Sequence, residues 1–71
     1  MPTFADRLKE LRKSKNATQK QVAEAIGIAE RNCRRLEAEN NPSVDTVLKL
    51  AEYFNVSTDY LLGLTDCPDR K

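Results

Sequence analysis

Apolar residues recur along this chain at intervals of three and four and nowhere alternate for long, so the pattern predicts helices and no strands. Phe4, Leu8 and Leu11 share one face of a first helix, with Thr3 as its N-cap and Asp6 in its first turn. That helix ends around Ser14, and residues 14–17 connect it to the next. Thr18 followed three positions on by Gln21 is a capping box. It opens a second helix, with Val22, Ala23 and Ile26 on one face and Gly27 where the chain needs a residue tolerant of positive φ. Beyond Gly27 the apolar pattern resumes with Ile28, Cys33 and Leu36 in a shifted register, which predicts a third helix from about Ala29 to Ala38 in a new direction. Pro42 biases Asn41 away from helix, so residues 39–43 are a loop. Ser43 then caps a fourth helix, ended by Asn55, whose Val44, Val47, Leu48, Ala51 and Phe54 form the longest apolar stripe in the chain. Ser57 caps a short fifth helix through about Leu62, closed by Gly63.

Two short helices joined by a glycine turn make residues 18–37 a helix-turn-helix. On a wheel of about 100° per residue, Cys33, Leu36 and Ala29 form the inner stripe of its second helix. Arg31, Arg34 and Arg35 cluster on the opposite side, with Glu30 and Asn32 on the flanks. Three guanidiniums on one exposed face repel each other, and nothing in folding requires them. A polyanionic partner removes that repulsion, and arginine's fork matches both phosphate and the major-groove edge of guanine. An exposed charged face is ordinarily only solvated. Here the capped helix and glycine turn before it favour a helix held out into a major groove.

The chain resembles the lambda-repressor-like family, the Cro and phage-repressor (XRE-type) helix-turn-helix domains. The strings that carry the likeness are FADRLKELRKSKNATQKQVAEAIGI, RRLE and NPSVDTVLKLAEYFNVSTDYLLGL. Together they cover nearly the whole sequence. The resemblance implies an all-α, five-helix domain over residues 1–64 followed by a polar tail at 65–71, which contains Pro68 and is expected to be loose. It also implies that the start of the third helix reads base edges through Glu30, Arg31 and Arg35, with Asn32 and Arg34 at the margin. Glu30 is equally a first-turn carboxylate that complements the helix dipole. Gln19 then makes a phosphate or a phosphate-and-base contact at the start of the second helix, aided by backbone N–H groups, where Thr18 acts mainly as a cap. Lys13, Lys15 and Lys20 are further phosphate candidates, supplying salt dependence and not sequence choice. Arg12 and Glu37 match two family positions that pair, tying the first helix to the end of the third. Three departures stand out: Ala29 occupies the usual Ser or Thr cap, the turn EAENNP lacks a glycine and looks one residue short, and Glu39 stands where a basic residue is common.

Charge sharpens this picture. The formal net charge of +1 hides a segregation, since residues 1–35 balance to +5 and residues 36–71 to −4. One basic face is enough for nucleic acid. With 71 residues the chain is one domain, and no apolar run reaches membrane-spanning length, so the expectation is a soluble cytoplasmic protein. Cys33 and Cys67 form no CxxC pair and histidine is absent, so no zinc site, other metal or cofactor is expected. Cys33 reads as a small core residue and Cys67 as an exposed thiol. No catalytic constellation or small-molecule site can be drawn. These residues point to a sequence-specific binder of double-stranded DNA, a transcriptional regulator of repressor type. Because one short helix reads few base pairs, it is expected to work as a homodimer on a two-fold operator. The alternative is a protein-interaction module of the same fold, antitoxin-like or a regulatory partner.

Overall fold

The computed structural model describes residues 3–39 and 41–69. Five helices follow one another: α1 (Phe4–Ser14), α2 (Gln19–Ile26), α3 (Glu30–Glu39), α4 (Val44–Phe54) and α5 (Thr58–Leu61). Each start predicted by a hydroxyl residue is found. Thr3 and Thr18 make complete capping boxes, with Asp6 and Gln21 as the reciprocal partners, while Ser43 and Ser57 accept from the backbone three residues on. Hydrogen bonds from Thr3, its backbone N–H foremost, hold the Asp6 carboxyl below its ordinary range.

Four helix ends share one solution. Asn16, Gly27, Asn55 and Gly63 take positive φ, and the N–H of each following residue reaches back five positions: Ala17 to Arg12, Ile28 to Ala23, Val56 to Ala51 and Leu64 to Asp59. This is the Schellman pattern, which satisfies carbonyls left over at the helix end. At Gly27 an added Cβ meets nothing within 4 Å, so what glycine supplies there is φ of +78° and not space.

The core gathers Phe4, Leu8, Val22, Ala23, Ile26, Cys33, Val47, Leu50, Ala51, Phe54, Val56 and Leu61 from all five helices and the α4–α5 junction. α3 packs against both α1 and α2. Cys33 is fully buried and its thiol is pushed up by that burial, whereas Cys67 is exposed; both are free.

Two parts of the apolar pattern turn out differently. On α4, Val44 and Leu48 face solvent at 78% and 54% exposure, and Leu50 fills the core instead. Val47, Leu50, Ala51 and Phe54 form the buried arc, the larger of the two, and α4 packs on α2 and α5. On α3, Ala29 precedes the helix and is exposed, and Glu37 takes the inner position in its place. Residues 65–69 are also held to the body: the Ser57 N–H donates to the Pro68 carbonyl at 3.1 Å, and Arg7 bridges Asp66 at 2.9 Å. Asn40 of the α3–α4 turn and Arg70 and Lys71 of the tail lie outside the described residues.

Candidate nucleic-acid interface

The α2–turn–α3 unit is fixed from three sides by one carboxylate. Glu37 Oε2 accepts from Arg12 Nε at 2.7 Å, and its Oε1 accepts from a second Arg12 nitrogen and from Gln19 Nε2, both at 3.2 Å. The remaining Arg12 terminal nitrogen donates to the Ala17 carbonyl at 3.1 Å. The last turn of α3 is therefore tied to α1, to the α1–α2 turn and to the first residue of α2. Glu37 is 3% exposed and Arg12 17% at their side chains. The Glu37 hydrogen bond, working against desolvation, raises the Arg12 guanidinium above its ordinary range, so the charge is permanent. The pairing of Arg12 with Glu37 is the one expected; the Gln19 link is additional. Because an ionised carboxylate only accepts, the bond fixes which way the Gln19 amide points, with its nitrogen inward.

From that anchored end α3 runs back to an open N-terminal face. Glu30, Arg31, Asn32, Arg34 and Arg35 are all exposed. Arg35 reaches Glu39 one turn on at 3.4 Å, a solvated contact that restrains it little. Asn32 and Arg35 line one shallow hollow with Ile28, Leu36, Asn41 and Thr46, so the α3–α4 turn forms the wall beside the arginine face. Thr18 is engaged as a cap, and Lys13 and Lys20 are exposed.

Lys15 is placed elsewhere. Its ammonium lies 4.2 Å from the Tyr53 ring centre and 3.5 Å from the Tyr53 carbonyl, at the C-terminal end of α4. There it stacks on an aromatic face and complements the helix dipole, a structural post. Arg7, not singled out by the sequence pattern, is buried with its guanidinium 4.0 Å over the Tyr60 ring. Its Nε finds no acceptor among the described residues. Nothing local in the sequence marks it, because its partners lie more than fifty residues away.

A family model, helix-turn-helix, matches residues 8–61. The chain belongs to the helix-turn-helix family. Among its relatives, the uncharacterized HTH-type transcriptional regulator YobD of Bacillus subtilis (strain 168) is 46% identical over 69 residues, covering 96% of this chain and 62% of that protein. The HTH-type transcriptional regulator ImmR of the same organism is 48% identical over 62 residues, covering 86% and 49%. This helix-turn-helix chain thus spans about half to three fifths of the length of those two relatives. Among solved structures, the N-terminal DNA binding domain of SinR from Bacillus subtilis superposes with a TM-score of 0.77 at 30% identity, over 83% of this chain and 88% of that one. Among the described residues no helix is long and apolar enough to cross a membrane.

Proposed function

We propose that this chain is the DNA-reading part of a transcriptional regulator, a repressor that acts in the cytoplasm and binds a two-fold operator as a homodimer. The observation that carries the proposal is the exposed arginine face at the start of α3, on a helix whose other end is locked by Glu37 to α1 and α2. A helix presented in this way fits a major groove. Arg31 and Arg35 suit guanine O6 and N7, Glu30 suits a cytosine amino group, and Asn32 and Arg34 flank them. Gln19 is assigned to phosphate through its backbone N–H at the open end of α2, its amide nitrogen being held by Glu37, with Lys13 and Lys20 beside it and Thr18 as the cap that occupies the Gln21 N–H. Lys15 is assigned a smaller share, because Tyr53 already engages it. The similarity to relatives named as transcriptional regulators supports the reading.

Selection from random duplexes with the purified chain should enrich a motif with inverted half-sites about 10 base pairs apart. Arg31→Ala should then lower affinity for that motif by about 1 to 3 kcal/mol and relax one base position. Lys20→Ala should weaken all sequences alike and flatten the salt slope. A selection that enriches nothing removes the proposal.

A further inference from the structure

Glu39 is the last residue of α3, and nothing in folding favours a carboxylate there. The carbonyl end of a helix carries the negative pole of its dipole, so an anion at that end is destabilising. Its contact with Arg35 one turn back, at 3.4 Å, puts the cation N-terminal to the anion, the weaker of the two orders for such a pair. Both side chains are largely exposed, Arg35 at 68% and Glu39 at 55%, so the pair adds little to stability. What the carboxylate does alter is the charge beside the reading face, because Asn32, Arg35 and Glu39 line the same shallow hollow together with Asn41 and Thr46.

We infer that Glu39 makes Arg35 a reader of bases and a poor clamp on phosphate. The inference rests on the function proposed above. A guanidinium carries five N–H donors, and the bond from Arg35 Nη2 to Glu39 leaves the others free. A phosphate that takes those donors brings a second anion to a cation already shared with a carboxylate, well inside the Debye length of about 8 Å at physiological salt. The O6 and N7 edge of guanine is uncharged and accepts the same fork without that repulsion. Glu39 therefore weakens a complex held by backbone contacts more than one in which Arg35 has found its guanine. Discrimination grows because the wrong partner is repelled, not because the right one is held more tightly. The usual basic residue at this place in the resembling family would act the other way, strengthening attachment to every sequence alike.

The test measures the wild-type chain, Glu39→Gln and Glu39→Lys on a duplex carrying the selected motif and on an unrelated duplex of equal length, between about 50 and 200 mM salt. Both variants should keep the wild-type melting midpoint or exceed it, since the carboxylate opposes the helix dipole. Glu39→Gln should tighten binding to the unrelated duplex by roughly 3- to 10-fold, and Glu39→Lys by more, each with a steeper salt slope. Affinity for the motif should rise by less, so the ratio between the two duplexes falls. A repeated selection with Glu39→Gln should show a weaker guanine preference at the position that Arg35→Ala relaxes. In an Arg35→Ala background the same substitution should no longer change the ratio. An equal gain on both duplexes overturns the inference, because Glu39 then repels DNA as a whole, and so does a ratio that still falls without Arg35. Wild-type protein that prefers no sequence overturns the proposed function itself.

Discussion

Glu37 carries a buried negative charge that Arg12 and Gln19 offset, and its replacement separates two roles that one carboxylate combines. Glu37→Gln leaves Arg12 charged in a largely dry site, which should cost about 3 kcal/mol, the lower end for breaking a buried pair. Replacing both partners with apolar residues, Arg12→Met with Glu37→Leu, should recover much of that stability in urea denaturation. Operator affinity should stay low in the double variant, because Gln19 has then lost the acceptor that orients its amide. If affinity recovers along with stability, Glu37 orients nothing and only stabilises. The Arg12 and Glu37 pairing was legible through the family resemblance. The Gln19 contact was not, since it depends on the first turn of α2 meeting the last turn of α3, a closeness that no local spacing encodes. The same holds for Arg7 on Tyr60 and for Lys15 on Tyr53.

Four helices start on a hydroxyl cap and end on a residue of positive φ; α3 starts after Ala29, which has no side-chain oxygen to offer. The Asn32 N–H, which a cap side chain would take, bonds instead to the Ala29 carbonyl at 3.0 Å, and no cap side chain stands at the opening of this helix. Ala29→Ser should stabilise the domain by about 0.5 to 1 kcal/mol, read as a raised denaturation midpoint. No gain would mean that the Ala29 carbonyl already serves the Asn32 N–H as well as a hydroxyl would. The caps were legible because a cap is local chemistry, settled within three or four residues. Asn16 ends α1 as Gly27 ends α2, but the large apolar positions of α1 stop at Leu11, so no core residue stands directly before it as Phe54 stands before Asn55. The misplacement of Val44 and Leu48 has a different origin. The stripe from Val44 to Phe54 omits Leu50, and with Leu50 included the apolar arc shifts so that Val44 and Leu48 fall at its outer edge.

At the scale of the whole molecule, the segment after Leu64 contributes to a closed structure and is not an appendage. Asp66 and Pro68 reach Arg7 and the N-cap of α5, so they stitch the end of the described chain to α1 and to the α4–α5 junction. Truncation after Leu64 should lower the melting midpoint by about 4 to 8 °C, the shift expected for the loss of one net hydrogen bond in a domain of this size. An unchanged midpoint would show that water replaces both contacts at no cost. The division of charge between residues 1–35 and 36–71 also matters before any contact is made. With Arg31, Arg34 and Arg35 all exposed on α3 and a formal net charge of only +1, the charge is unevenly spread and the arginine face is a positive pole on a nearly neutral body. Near a polyanion it feels little overall pull but a definite torque. It rotates its arginine pole forward within the last Debye length, about 8 Å at physiological salt, so that fewer collisions are wasted on the wrong face.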